Sequence, residues 1–365
     1  MGQGLVTSEG KVWREDRKLL TPFFHFKAVQ EAFPISIEAA QYLLQTIGVT
    51  NEWLPAKDTF ATYSSKVIIK FAFGDSFDVK VINTQIKEIL QTFNDYFIGK
   101  ALLGDIWDYI PVKSGRGMTK LTNKFVNSIK GTIIQKRESK TEAKDLLSFL
   151  CQLRYEDGSM MSEKHVIDHC TTFLFAGEDT TACTLSWVMY YISLYPDIQE
   201  RLQDEVDEVL KGSLPTMETI HQLHLCNNVI KETLRIQPVV PYISRIANRD
   251  YEFSGVTVKK GTCVSFGIYP LHHDTTYWEK PDEFIPERWD EDSCKKSFLW
   301  VPFSAGQRNC LGQKFALQEI IIVLAMIIQQ YRVHHNQNKN VIPVWEGVLT
   351  PVGLELKFVP RHRRD

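Results

Sequence analysis

The sequence offers little to a disulfide scaffold, a membrane span or a polyelectrolyte binder. Its cysteines number seven, at 151, 170, 183, 226, 263, 294 and 310, an odd and scattered set without CxxC spacing. That excludes a disulfide framework and a zinc ribbon, and points to a reducing compartment. The longest fully apolar run, Ile320 to Ile328, is about half of what a span needs, and the opening MGQGLVTSEGKVWRED lacks the apolar core of a signal peptide. Charge of one sign is missing too: Lys and Arg total 42 against 44 Asp and Glu, which leaves no global field for nucleic acid or acidic ligands. No internal repeat is visible. What is present, 365 residues with 44% hydrophobic and 24% charged, is the composition of a globular protein with room for a sizeable core.

Up to about Lys211 the apolar spacing is mostly helical, punctuated by turn signals at Gly74-Asp75, Gly104-Asp105, Pro111, Gly115 to Gly117 and Asp157-Gly158. A helix of roughly 30 residues is predicted from an N-cap at Ser162 to Leu194, where Tyr195-Pro196 stops it. Val166, Ile167, Phe173, Leu174, Phe175, Leu185, Trp187 and Val188 make it apolar around much of its circumference, which predicts a buried, central position. Pro196 opens a second amphipathic helix with Gly212 as its stop, and another ends at Leu234-Arg-Ile-Gln-Pro238. From Tyr242 to Ile268 the pattern turns extended. Near the end, two apolar segments flank a predicted hairpin turn at Thr350 to Gly353. The tail RHRRD reads as a solvated basic segment.

The densest chemical signal is Phe303-Ser-Ala-Gly306-Gln-Arg308-Asn-Cys310-Leu-Gly312, just ahead of a predicted helix from Gln313 to Gln330. It resembles the cysteine-ligand loop of cytochrome P450, the haem-thiolate monooxygenases, at every fixed position of FxxGxRxCxG. The resemblance implies that Cys310 is the axial thiolate of haem iron. Gly306 then allows the tight turn that aims amide N–H groups at sulfur, Gly312 lets the following helix approach the porphyrin, and Phe303 covers the thiolate. Arg308 is placed for a charge-assisted contact with a haem propionate. The other six cysteines read as small buried hydrophobes.

Two further segments carry the resemblance. Lys231-Glu232-Thr-Leu-Arg235 matches the family's ExxR, and Phe284-Ile-Pro-Glu-Arg288-Trp289 its FxPERF, with Trp289 in place of the last Phe. Glu232, Arg235 and Arg288 are then expected to form a buried charge cluster of structural role, because buried charges persist only when paired. Ala176-Gly177-Glu178-Asp179-Thr180-Thr181 is similar to the AGx[DE]TT segment of the central helix. Reducing O2 there needs two protons while bulk water stays out, a task for the hydroxyl of Thr180 and the acid Asp179 beside it. Gly177 would widen the helix groove where oxygen sits. For a Thr pair in a helix, the bland reading is back-bonding to the carbonyl four residues earlier.

Trp13 and Arg17 resemble the WxxxR pair that reaches a propionate from one helical face, and Arg245 stands where the family supplies another propionate-binding arginine. His272-His273-Asp274 is common before PERF and is given no ligand role. The segments GLVTSEGKVWREDRKLLTPFFHF and SWVMYYISLYPDIQERLQDEV are most similar to the eukaryotic membrane-bound branch, and within it to the fatty-acid ω-hydroxylase clan. Substrate-facing candidates are Phe173, Phe175 and Ala176 on the central helix, Val239, Val240 and Tyr242 after the ExxR helix, and Thr350 and Val352 at the hairpin tip, each with core packing as the bland alternative.

The resemblance thus implies a mainly α fold with small β-sheets, residues 1–365 forming one catalytic domain that lacks the family's N-terminal quarter: anchor, first helices and strands. It also implies non-covalent haem b, because many ω-hydroxylases esterify haem through a Glu where this chain has Ala176. Expected partners are an NADPH-dependent flavoprotein reductase, with cytochrome b5 as an alternative donor, O2 and a small apolar substrate, on the cytosolic face of the endoplasmic reticulum; no nucleic acid is expected. Lys295, Lys296 and Lys314 flank the cysteine loop, and Arg14 and Lys18 lie on the opening helix, as candidate contacts for an acidic flavoprotein. Two other readings stand beside the monooxygenase: a haem-thiolate isomerase or dehydratase, and a truncated, non-catalytic haem binder.

Overall fold

The structure is a computed structural model that describes residues 2–48, 51–76, 79–138, 145–290 and 298–361. It is mainly helical with small antiparallel sheets, and it divides into two compact units built from segments distant in sequence. The first comprises Met1–Thr46, Asp58–Ala182 and Lys314–Glu319; the second comprises Ile47–Lys57, Cys183–Gln313 and Ile320–Asp365.

In the first unit, helix α1 (Gly10–Pro22) buries Trp13, Asp16 and Leu20, a three-four spacing that puts all of them on one face. Pro22 has no N–H for the helical ladder, and the chain passes through a π-helical turn, Phe23–Lys27, into α2 (Ala28–Gly48). Helices α3 (Ala56–Phe73), α4 (Val79–Leu103), α5 (Met118–Glu138) and α6 (Leu146–Gln152) follow, with the end of α2 from Ile47 and the start of α3 up to Lys57 counted in the second unit. The glycines read as punctuation take left-handed backbone where helices end: Gly74 at φ +61° after α3 and Gly104 at φ +57° after α4. Asp145 caps α6, its carboxylate accepting the Ser148 N–H at 2.7 Å. Aromatic side chains dominate the core, with Phe23 stacked on Phe149 at 4.3 Å, Phe24 on Phe173 at 4.7 Å and Phe71 against Phe315 at 4.8 Å.

Helix α7 (Glu163–Leu194, 32 residues) matches the predicted central helix at both ends. Ser162 Oγ accepts the His165 N–H at 3.2 Å, the expected N-cap bond. Residues up to Ala182 belong to the first unit and the remainder to the second.

The second unit holds α8 (Pro196–Leu210), α9 (His224–Ile236), α10 (Ile268–His272) and most of α11 (Gln313–Gln330). Strand β1 (Leu54–Pro55), which periodicity did not reveal, pairs with β9 (Glu355–Pro360), and β9 with β6 (Tyr331–His335), in one three-stranded antiparallel sheet. Among the described residues there are also three two-stranded pairs: β2 (Tyr242–Ile246) with β5 (Cys263–Gly267), β3 (Tyr251–Phe253) with β4 (Val256–Val258), and β7 (Ile342–Trp345) with β8 (Leu349–Val352). The last pair corrects the predicted hairpin. Its turn is Glu346-Gly347-Val348, with Gly347 at φ +88°, so Thr350 and Val352 lie along strand β8 and not at a tip. The tail is corrected in part as well: Arg361 forms a bidentate pair with Asp207 at 2.7 and 2.8 Å, while residues 362–365 lie outside the described residues. Among the described residues no helix is long and apolar enough to cross a membrane.

Candidate active site

The cysteine loop begins in the second unit with two left-handed residues, Ser304 at φ +61° and Gly306 at φ +75°, which fold it back on itself. The Cys310 N–H donates to the Phe303 oxygen at 2.9 Å, and the Asn309 N–H to the Gly306 oxygen at 3.1 Å, so the backbone closes around the segment before α11 begins. Cys310 is exposed, whereas Cys151, Cys170, Cys183 and Cys226 are buried. Burial pushes the thiols of Cys151, Cys170 and Cys226 up, to about 11 for Cys151 and well above the ordinary range for the other two. Cys263 departs from the expected burial: it lies exposed on β5, and Cys294 is outside the described residues.

The charge cluster that supports this loop is in the same unit. Arg235 forks onto Glu232 with bonds of 3.0 and 2.9 Å, and both side chains are fully buried. Glu232 also takes the Ile285 N–H at 3.1 Å, the Trp289 indole N–H at 3.0 Å and Arg288 at 3.3 Å. Each carboxylate oxygen is therefore well supplied, the condition under which a buried charge pair is tolerated. The rest of the Arg235 guanidinium donates to the main-chain oxygens of His272, Pro281 and Glu283. An aromatic series then runs from the cluster to the loop, Trp278 to Trp289 at 5.8 Å, Trp289 to Trp300 at 5.6 Å and Trp300 to Phe303 at 6.2 Å. His272, left without a role by the sequence, is a fully buried member of this assembly. Its Nε2 accepts the Val301 N–H at 3.0 Å, and its Nδ1 lies 3.1 Å from the Arg235 oxygen.

The central-helix segment belongs to the first unit. Thr180 donates to the Ala176 oxygen at 2.6 Å, the back-bond that was the bland alternative for this residue. Thr181 is buried and donates instead to Glu319 Oε1 at 2.7 Å. Burial raises the Glu319 carboxyl to about 8, against the smaller lowering by Thr181, so it is held neutral near pH 7. Asp179 is half-buried, Glu178 buried and Ala176 exposed. A Cβ on Gly177 would meet Ile68 of α3 at 2.9 Å: the missing side chain lets α3 and α7 approach each other, where the sequence suggested a widened groove.

The remaining candidates separate by unit. Trp13 is buried and Arg17 half-buried on α1, one turn apart. Arg308 is half-buried in the loop, and Arg245 is exposed on β2, donating to the Ser244 oxygen at 2.9 Å. Phe173 is a member of the first unit's aromatic core through Phe24, the outcome that its bland alternative anticipated. Val239 is buried with its oxygen accepting the Leu349 N–H at 2.8 Å, and Thr350 is buried with its hydroxyl 3.6 Å from Cys183 Sγ. Phe175 and Val240 are half-buried; Tyr242 and Val352 are exposed. Lys314, Arg14 and Lys18 are exposed, Lys18 pairing with Glu156 at 2.7 Å, while Lys295 and Lys296 lie outside the described residues.

The family model for cytochrome P450 matches residues 1–358. The chain belongs to the cytochrome P450 family. Mouse cytochrome P450 4V2 is 31% identical over 100% of this chain and 75% of its own length, and mouse cytochrome P450 3A13 is 29% identical over 98% of this chain and 76% of its own. The fold matches the crystal structure of the cytochrome P450DA heme domain at a TM-score of 0.89, with 22% identity, over 99% of this chain and 81% of that one. The P450 is accordingly a haem-thiolate monooxygenase with a cysteine ligand to its haem. The loop's own geometry suits a flat ring: among the described residues a Cβ built on Gly312 would meet only Cys310 Sγ, at 4.0 Å, so no side chain crowds the thiol at the start of α11.

Proposed function

We propose that Cys310 is the thiolate ligand of a non-covalently held haem b and that this P450 hydroxylates an apolar, lipid-like substrate. The observation that carries the ligand assignment is the closed turn Phe303–Cys310, in which backbone bonds hold one exposed cysteine at the head of α11. When bound, the haem supplies reductive activation of O2, so that one oxygen atom enters the substrate and the other leaves as water. The chain's own residues do the rest. Trp13, Arg17, Arg245 and Arg308 are each candidates to bind a propionate. Asp179 and Thr180 move protons inward from solvent, and Phe303 shields the sulfur. The unbroken family match over residues 1–358 supports reading the two units as one catalytic domain.

The lipid-like substrate rests on the similarity of the opening helix and of the Ser186 to Val206 segment to the ω-hydroxylase clan, together with the apolar candidates Phe175, Val240 and Val352. A NADPH-dependent flavoprotein reductase, with cytochrome b5 as second donor, fits the exposed bases Lys314 and Arg14. Placement on the cytosolic face of the endoplasmic reticulum follows from the same resemblance. Titration of the ferric holoprotein with fatty acids of increasing chain length should give a spin-state shift of the Soret band that strengthens with length. No shift with any of them, beside a clear shift with a small polar ligand, would overturn the substrate class. Cys310→Ala should abolish the red-shifted Soret band of the ferrous carbon monoxide complex; an unchanged band removes Cys310 as the ligand.

A further inference from the structure

Among the described residues one cluster carries ligand chemistry that the haem machinery does not use: Asp16 of α1 with His165 and His169 of α7, all within the first unit. His165 and His169 are four residues apart and so share one helical face, with ring centroids 4.7 Å apart. Asp16 Oδ2 lies 2.8 Å from His165 Nε2 and 3.3 Å from His169 Nε2. The side chains of Asp16 and His169 are fully buried, and among the described residues neither ring nitrogen of His169 has a hydrogen-bond partner. An imidazole buried with both nitrogens unsatisfied is costly, and its Nε2 points at the carboxylate without bonding to it. Tyr155 OH donates to the other oxygen, Oδ1, at 3.2 Å and fixes the orientation of the carboxylate.

We propose that Asp16, His165 and His169 form a zinc site. Two imidazoles and one carboxylate are a donor set that zinc takes in tetrahedral geometry, with a fourth position left for water. Around such an ion, with ligands at about 2.0–2.1 Å, neighbouring donor atoms stand roughly 3.3 Å apart. The His169 to Asp16 separation already has that value, and His165, which is partly exposed, has to move back from Asp16 by about half an ångström. Tyr155 then acts as the outer partner that steers a ligating carboxylate. His165, whose side chain is 16% exposed, gives the ion its route in. The bound ion would clamp α1, the helix of Trp13 and Arg17, to α7.

The test uses the purified holoprotein, stripped of loose metal with a chelator, loaded with zinc chloride and dialysed. Elemental analysis should find one zinc per chain beside the haem iron, and the zinc K-edge should report nitrogen and oxygen donors with imidazole scattering. His165→Gln, at the partly exposed position, should keep its haem and weaken zinc binding at least tenfold; Asp16→Asn should do the same. Zinc at the wild-type level in the His165→Gln/His169→Gln double variant, a sulfur-containing zinc edge, or no retained zinc would each overturn the proposal, the last leaving a metal-free histidine–aspartate ion pair. If the buried substitutions prevent folding, the edge spectrum of the unmodified protein and the His165→Gln variant decide the matter alone.

Discussion

The Nδ1 of His272 stands 3.1 Å from the main-chain oxygen of Arg235, while its Nε2 accepts the Val301 N–H. Those bonds fix the tautomer: the proton must sit on Nδ1, because a nitrogen that accepts cannot carry it. One imidazole thus joins the last turn of α9, where Arg235 grips Glu232, to the segment that enters the cysteine loop. Protonation at Nε2 would turn the acceptor into a donor facing an N–H, and would place a cation beside the Arg235 guanidinium.

Acid should therefore loosen this joint. Burial, with the charge of Arg235 adding to it, holds His272 at about 4, below its ordinary 6.5. Between those values the unfolded chain takes up a proton that the folded chain refuses, so the contribution is intact above pH 6.5 and is lost as pH falls towards 4. His272→Gln should cost about 1–3 kcal/mol at pH 7, through the unpaired Val301 N–H and Arg235 oxygen, and should lose less between pH 7 and pH 5 than the unmodified protein does. Denaturant unfolding at the two pH values measures both. An equal acid loss in the variant would show that His272 is not the titrating joint.

Glu319 has the opposite sign. Its carboxyl is raised to about 8 by burial, while the unfolded chain releases that proton near 4.5. From pH 4.5 upward the folded state holds the extra proton, so stability falls with rising pH at up to about 1.4 kcal/mol per unit until the folded group ionises. Glu319→Gln keeps an oxygen to accept the Thr181 hydroxyl and removes the titration. The variant should gain thermal stability over the unmodified protein on going from pH 5 to pH 8, and parallel curves would refute this account.

Local signals carried the helices. Ser162 as a cap, Pro196 as an N-terminal residue and the glycines at 74, 104 and 158 act within a few residues of themselves, so α7, α8 and their neighbouring turns were legible. The hairpin was not, because Gly347 and Gly353 both signal a turn and both adopt positive φ; only the pairing of Thr350 with Val344 shows which of them closes β7 on β8. The site divides the same way. Glu232 and Arg235 are adjacent on one helix and legible as a motif, whereas His272 reaches Arg235 across 37 residues and His165 reaches Asp16 across 149, separations that no spacing rule detects. Phe173 and Phe175 are alike in sequence; that Phe173 stacks on Phe24 is decided by tertiary packing.

The Thr180 hydroxyl donates to the Ala176 oxygen at 2.6 Å, so it must rotate away from its own helix before it can donate elsewhere. A proton relay through it therefore needs Asp179 to resupply the hydroxyl. Asp179→Asn should keep the haem spectrum and slow substrate hydroxylation roughly a hundredfold, as expected for loss of a general acid step. Thr180→Val should divert electrons to hydrogen peroxide, and Thr180→Ser should restore coupling. Oxygen consumption, peroxide and product measured together decide it. Full coupling at the unmodified rate in both Asp179→Asn and Thr180→Val would exclude the relay.

The haem should be extractable. Ala176 occupies the position from which the resemblance would have a glutamate esterify a haem methyl, and a methyl side chain has no carboxylate to offer. Glu178 cannot take its place, because two residues turn the helix by about 200° and set the two side chains on opposite faces. The structure agrees with that geometry: Ala176 is exposed, while Glu178 is buried at 4% exposure. Asp179 is three residues on, about 300° around, and so leans back towards the face of Ala176, but its side chain is a methylene shorter than glutamate and starts about 4.5 Å further along the axis. Acidified organic solvent should strip all of the haem from the folded protein. Introducing Ala176→Glu should, after turnover with reductase, leave a fraction of the haem bound covalently to the peptide spanning residues 173–184. Haem attached to that peptide in the unmodified protein would refute the assignment; no attachment in Ala176→Glu would mean that this position does not face a haem methyl.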